Sequence, residues 1–412
     1  MLSLRHTGGL LSSTSKLFFT FNTSSRQFSS STCLCVKLKN VERDTLPPPA
    51  VGGNNPRPLS KDYQRLCAWK DTREVVDILF NNVVYHEPDT DKTGLVVINK
   101  PYGLPLHPAK DSPYCLASCL TGLADKLEVE KLEVVKCVER FSSGVTVLGT
   151  SPATAKAYKK SMGRLVTTRT LATSYLAMVK GQPTINILES VDRKLVDCPD
   201  VNKPLFGSMH KEPVLSRKLI SSSKAFRNNV KRVHVSINSM ARSSLGVGVV
   251  ELCPSSTGNH LIPVYLADVG HPLLGDQMYD YRARTMMGQR VKLSTAHTNA
   301  SRTQMLPTHL LEVLGLSKGE EWLLPKMLHL HRLVLPGWMG TGKDLTVFAP
   351  PPEHWVKTCK VVGINLDYKK VAEEDKVKQW KARESPGKVE NVTARQGGHV
   401  ETDLSTQVLE LT

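Results

Sequence analysis

The segment Lys136-Cys137-Val138-Glu139-Arg140-Phe141-Ser142-Ser143-Gly144 sets a carboxylate beside a guanidinium, then two hydroxyls and a glycine. The apolar run Val145-Thr146-Val147-Leu148 follows and reads as a buried strand, with Gly144 permitting a sharp entry. A charged pair is thus presented at the mouth of a sheet, where a rigid frame can hold a reacting group in the open. Taken alone, the same residues also fit a surface salt bridge beside a strand. Other reactive types are scattered. The nine cysteines are odd in number and irregular in spacing, which suits a reduced compartment rather than a disulfide framework. Cys115 and Cys119 lie one helical turn apart, but no second pair with zinc-site spacing accompanies them, so they read as core thiols and no metal is expected. His107 and His271 sit in tight Gly/Pro turns and read as structural, hydrogen-bonded histidines.

The elements that must position these groups follow from periodicity. Strands are expected at Leu95–Asn99, Val145–Leu148, Ser174–Val179, Val233–Ile237, Gly246–Leu252, Leu330–Leu335 and Leu345–Phe348. Ser112-Pro113 and Ser151-Pro152 each look like a helix start, a serine cap followed by proline in the first turn. Leu116, Leu120, Leu123 and Leu127 form one face of the first helix. Many strands with scattered helices predict an α+β sheet domain. It is expected to span 93–357, preceded by a linker and extension at 42–92 that contains Pro47-Pro48-Pro49 and Gly52-Gly53. The charged, aperiodic tail at 358–412 reads as mostly disordered, with a short helix near Val371–Arg383.

The formal net charge is +16, which points to a polyanionic partner, nucleic acid before an anionic membrane surface. No apolar run is long enough to span a bilayer. Three stretches carry the charge without any acid. They are Arg140 to Lys180 with Lys156, Lys159, Lys160 and Arg164; Arg217 to Arg242 with Lys218, Arg227, Lys231 and Arg232; and Arg282 to Arg302 with Arg284 and Arg290. These residues are the candidate phosphate contacts. Residues 1–41 hold Arg5, Lys16, Arg26, Lys37 and Lys39 and no acid, with dense Ser and Thr and an apolar patch at Leu17–Phe21. That is the composition of a mitochondrial transit peptide, with a processing site near Arg26-Gln27-Phe28-Ser29.

Five blocks resemble one family in order. Val97-Ile98-Asn99-Lys100-Pro101-Tyr102-Gly103-Leu104-Pro105-Leu106-His107-Pro108 resembles the first block of the RluA-type RNA pseudouridine synthases. The Glu139 segment falls at that family's His-Arg-Leu-Asp, and Tyr175-Leu176-Ala177-Met178-Val179-Lys180-Gly181 resembles the strand of its active-site tyrosine. Val269-Gly270-His271-Pro272-Leu273-Leu274-Gly275-Asp276 resembles the Gly-His-Pro-Leu-Leu-Gly-Asp block. His329-Leu330-His331-Arg332-Leu333 and Ala349-Pro350-Pro351 resemble the closing strands.

The resemblance implies a mixed, mostly antiparallel sheet with flanking helices around a basic cleft. It also implies isomerisation of uridine to pseudouridine in RNA, without metal or redox cofactor. With the leader, the expected substrate is mitochondrial mRNA or rRNA in the matrix, and RNA-processing or ribosome-assembly proteins are expected partners. The chemistry needs a carboxylate for attack at the sugar or for proton abstraction, expected at Glu139, and an aromatic wall that aids proton transfer, expected at Tyr175. The target base must leave its stack.

Departures from the pattern cluster at this site. Glu139 stands where the family has aspartate, and Lys136 and Cys137 replace its His and Arg. The later Gly-Arg-Thr-His-Gln-Ile-Arg-Val-His block is here Thr257-Gly258-Asn259-His260-Leu261-Ile262-Pro263-Val264-Tyr265. The arginine that pairs with the family's aspartate thus falls on Pro263, and a lysine falls on Thr173. Arg140 or Lys136 is then the expected source of compensating charge, and a helix after this block is expected to begin late because of Pro263. A fold retained only for RNA binding is the alternative function that these departures favour.

Overall fold

A computed structural model describes residues 59–87, 94–199, 209–286, 289–292, 303–340, 343–366 and 378–379. The leader and most of the tail lie outside the described residues. In chain order the strands begin with β1 (Val83–Glu87), β2 (Leu95–Lys100), β3 (Glu133–Lys136), β4 (Ser143–Gly149) and β5 (Thr170–Leu171). Next come β6 (Thr173–Lys180), β7 (Asn186–Pro199), β8 (Met209–Ser216), β9 (Lys231–Arg242) and β10 (Val247–Pro254). The last are β11 (Ala283–Met286), β12 (Gln289–Lys292), β13 (Leu328–Leu335), β14 (Leu345–Phe348) and β15 (Lys378–Gln379).

Eleven strands make one sheet, in the order β1-β2-β4-β13-β6-β10-β9-β7-β8, with β3 also paired to β4 and β14 to β13. Only β13 with β4 is parallel; the other pairings in this sheet are antiparallel. Every strand expected from the sequence is present. The central ones are buried on both faces. Tyr175, Ala177 and Val179 of β6 face one core while Leu176 and Met178 face another. That two-sided burial is why β6 reads as a continuous apolar run with no alternation.

The helix Pro152–Thr168 starts at its proline, as expected. The Ser112-Pro113 start is corrected: the helix is Leu116–Lys126 and Cys115 caps it, its Sγ accepting from the Ser118 N–H. The reason is local. Leu116 and Ala117 donate their N–H groups to the carbonyls of Pro105 and Leu106, at 2.8 and 3.0 Å, so the first turn is satisfied by the preceding block. Cys115 and Cys119 are core thiols, as read.

The folded body is wider than 93–357. Thr72–Asn81 is a helix whose Val75, Val76 and Leu79 pack beneath β2, and β1 forms one edge of the sheet. The helix Glu353–Val361 runs through the expected boundary and buries Trp355 and Cys359. It meets the helix Leu59–Arg65, where the Tyr63 and Thr358 hydroxyls hydrogen-bond at 2.8 Å. Within the expected tail helix, Lys378–Gln379 is instead a short strand paired with β5.

Candidate active site

Three chain segments converge because β13 lies between β4 and β6. Leu330 of β13 is in register with Gly144 of β4 on one side and with Tyr175 of β6 on the other. Tyr175 is also in register with Leu252 of β10, whose strand leads out to Thr257 and His260. Gly144 is required where it stands. Its φ is +119°, and a Cβ there would lie 2.2 Å from the Leu330 carbonyl oxygen. The result is an open pocket lined by Cys137, Glu139, Tyr175, Thr257, Pro263 and Leu328, among others.

The first sequence block holds the Glu139 loop from below. The fully buried Lys100 ammonium donates to the carbonyls of Pro101 (2.9 Å), Leu104 (3.0 Å) and Arg140 (3.3 Å). Lys100 therefore braces this turn, and burial pushes its pKa down to about 8. Gly103 and Arg140 exchange bonds as well: the Gly103 N–H donates to the Arg140 carbonyl, and Arg140 Nε donates to the Gly103 carbonyl. Arg140 then pairs with buried Asp111 at 2.9 Å and lies over the Phe141 ring. The guanidinium beside Glu139 in sequence thus faces the first block and does not complete the acid.

Charge reaches Glu139 from elsewhere. His260 Nδ1 lies 3.4 Å from Glu139 Oε2, longer than an ideal hydrogen bond but a close ion pair when the imidazole is protonated. Burial pushes the Glu139 carboxyl up, but the hydrogen bond and charge of His260, helped by Lys326, outweigh it and hold the group below its usual value. Glu139 nonetheless keeps 41% of its side-chain surface exposed, so a substrate can reach it. The compensating charge expected from Arg140 or Lys136 is therefore supplied by His260 and Lys326. Burial instead pushes Lys136 down.

His260 is aimed by its backbone. Asn259 and His260 both adopt left-handed φ, +55° and +51°, an uncommon pair for residues with a Cβ. His260 is the cap of the helix Leu261–Asp268. Pro263 sits in that helix's first turn, where no intrahelical N–H is needed, so the helix does not begin late. Thr257, in the same turn, hydrogen-bonds Tyr175. Burial pushes the Tyr175 phenol far up, so it stays protonated and can donate a proton-sharing bond, while its ring forms a wall of the pocket. Thr173 carries no charge into the site; its hydroxyl bonds the Pro254 carbonyl at 3.2 Å.

The cations of the three acid-free stretches fall into paired and unpaired sets. Arg217 pairs with Glu189 and Asp268, and Arg232 with Asp192. Arg282 is buried against Glu212 and the Tyr279 ring. The fold brings in acids that the linear windows lack: Arg282 is an internal brace, while Arg217 and Arg232 are tied to acids at the surface. Lys156, Lys159, Lys160, Arg164, Lys218, Arg227 and Lys231 are exposed. The side chains of Arg284 and Arg290 lie outside the described residues. His271 is held by the Lys180 carbonyl at 3.2 Å, as a structural histidine should be, whereas His107 is exposed.

A family model described as RNA pseudouridylate synthase matches residues 94–267, which spans the Lys100 turn, Glu139, Tyr175 and His260. The human protein named mitochondrial mRNA pseudouridine synthase RPUSD3 is 30% identical over 299 residues, covering 71% of this chain and 79% of that protein. This chain belongs to the RNA pseudouridylate synthase family. The bovine pseudouridylate synthase RPUSD4, mitochondrial, is 27% identical and covers 66% of this chain and 68% of its own length. The fold agrees. The solved structure of human RNA pseudouridylate synthase domain containing 4 superposes with a TM-score of 0.51 at 23% identity, covering 72% of this chain and 98% of that one.

For a pseudouridylate synthase the site has two unusual parts that sequence reading could not assign. His260 was visible as a surviving member of a degraded block, but nothing in the block marked it as the acid's partner. Lys326 lies just ahead of β13, far from Glu139 in sequence, and only the sheet brings the two together.

Proposed function

We propose that the chain isomerises uridine to pseudouridine in a mitochondrial RNA, messenger or ribosomal, within the matrix, and that Glu139 and Tyr175 carry the reaction. The observation that supports this reading most is the shared pocket: an ionised, accessible carboxylate and a protonated phenol ring face one opening. The mitochondrial assignment draws on the names of the relatives and on the acid-free leader.

The reaction breaks the N1–C1′ bond of the uridine, turns the base, forms C5–C1′ and releases the proton from C5. Glu139 either attacks C1′ or removes a proton, and both roles need it ionised, which His260 and Lys326 favour. Tyr175 closes one wall against the freed base and donates or relays a proton while remaining neutral. The target nucleotide must be extruded to reach this depth, and the exposed lysines and arginines around the domain hold its backbone.

The test is pseudouridine mapping of mitochondrial RNA in cells lacking the protein and resupplied with wild type or Glu139→Ala. Site-specific modification restored by wild type and not by Glu139→Ala is the expected result. Modification unchanged across all three would sink the enzymatic reading and leave an RNA-binding role for the fold.

A further inference from the structure

The connection between β8 and β9 carries a feature that the proposed chemistry does not use. Ser222–Arg227 is a short helix with no buried residue. Its Phe226 is 89% exposed, an unusually bare aromatic for a soluble surface. Lys218, Lys224, Arg227 and Lys231 surround it in sequence and all are exposed, with no acid between Arg217 and Arg242. The acids nearest in the fold are already spent. Glu189 and Asp268 neutralise Arg217, and Asp192 neutralises Arg232. The cations on the helix therefore keep their charge for a partner.

The excursion is anchored rather than loose. Asp192 accepts from Arg232 Nε and from the Ile220 N–H, each at 2.8 Å, and Arg232 Nη2 donates to the Ile220 carbonyl at 2.5 Å. These bonds tie its two ends together and hold the helix out as a rigid tip. The strands at its base are linked to a wall of the pocket. Lys231 is in register with Arg193, whose guanidinium bonds the carbonyl of Gly258, between Thr257 and His260. On β9, the carbonyl of His234 accepts from the Ser255 N–H, just before Thr257.

We propose that this tip grips the RNA strand flanking the target uridine, with Phe226 stacked on a base and Lys224 and Arg227 on phosphates. An exposed aromatic framed by cations fits single-stranded RNA, because every base has a face to stack on and every linkage a charge to neutralise. This inference rests on the RNA-modifying reading above, and names the part of its substrate outside the pocket.

The test is equilibrium binding of single-stranded RNA to the whole protein at several salt concentrations, with circular dichroism confirming the fold of each variant. Phe226→Ala is expected to weaken binding about tenfold, near the low end of base–aromatic stacking, and Phe226→Tyr to retain it. Lys224→Ala with Arg227→Ala is expected to reduce the salt slope by about 1.4, two single-strand phosphate contacts. Unchanged affinity in Phe226→Ala, an unchanged salt slope in the double variant, or full rescue by Phe226→Leu would overturn the proposal. The last outcome would mark a protein-docking knob instead. Pseudouridine formation by wild type, assayed in parallel, separates the two readings. If wild type modifies RNA and Phe226→Ala binds normally, only this inference fails. If wild type does not modify RNA while Phe226 still governs binding, only the catalytic reading fails.

Discussion

Replacing His260 by asparagine isolates the charge that holds Glu139. Asparagine tolerates the left-handed backbone found at φ +51°, so the loop is retained, but it is uncharged and too short to reach the acid. At 3.4 Å a unit charge pair is worth about 1 kcal/mol in bulk water and about 5 kcal/mol at an effective dielectric of about 20. Both side chains remain substantially exposed, at 42% and 41%, so solvent screening selects the lower end, about 1.4 kcal/mol. The sign follows from the cause. His260 holds the Glu139 carboxyl below its usual value, so its loss raises the Glu139 pKa. The assay is the single-turnover rate of C5–H release from a uridine-containing RNA as a function of pH. The acid limb, set in the proposed reaction by protonation of Glu139, is expected to move to higher pH in His260→Asn. Lys326→Met is expected to move it less, because Lys326 is the smallest contributor and lies 4.0 Å from Asp276. An acid limb in His260→Asn that superimposes on wild type, in a folded protein, would refute the pairing.

Other perturbations test the frame. Glu139→Asp draws the carboxylate back by about one C–C bond from His260 and is expected to lower the single-turnover rate roughly 100-fold; an aspartate variant as fast as wild type would show that the pocket is still shaped for the shorter acid. Gly144→Ala forces a Cβ onto the Leu330 carbonyl at φ +119°, so urea denaturation is expected to show a loss of about 3 kcal/mol or more. Glu212→Gln leaves the buried Arg282 charge uncompensated and is expected to cost about 3 kcal/mol by the same measurement, with wild-type stability contradicting the internal-brace role. Tyr175→Phe keeps the ring but loses the Thr257 bond, costing about 1 kcal/mol. Because burial raises the Tyr175 pKa, its contribution to stability is present below the unfolded tyrosine value of about 10 and fades as pH rises above it; the fading should be smaller in the phenylalanine variant.

Most strands legible in the sequence are buried on both faces, although β9 and β14 are only half buried. β4, β6, β10 and β13 expose almost nothing, so their composition is apolar whatever their neighbours. The strands that escaped notice, β7 and β8, interleave Glu189, Asp192, Arg193 and Glu212 with apolar residues. The three acids are paired with Arg217, Arg232 and Arg282, which are remote in sequence, and Arg193 donates to the Gly258 carbonyl. The same long-range pairing explains why the acid-free stretches are less uniformly unpaired in the fold than in the sequence. A linear window counts the cations of one strand and cannot see the acids on the next. Glu139 and Tyr175 were legible because family blocks marked them. Their common pocket depends on Leu330 lying between Gly144 and Tyr175, a register that no local pattern encodes.

The departures around the acid make physical sense as one change rather than several losses. The family resemblance expects an aspartate met by an arginine from the position of Pro263. Proline there can carry no charge, but it sits without penalty in the first turn of the helix Leu261–Asp268. The nearest basic side chain that this turn can offer is then His260, brought round by two successive left-handed residues. An imidazole reaches less far than a guanidinium, and the acid opposite is one methylene longer. A shorter base and a longer acid still meet at 3.4 Å, and Lys326 adds the long-range positive charge that the arginine would have carried. Glu139 is therefore better understood as half of a matched pair than as a damaged aspartate. The pair offers what the proposed chemistry asks for: a carboxylate held below its usual pKa while it remains open to substrate.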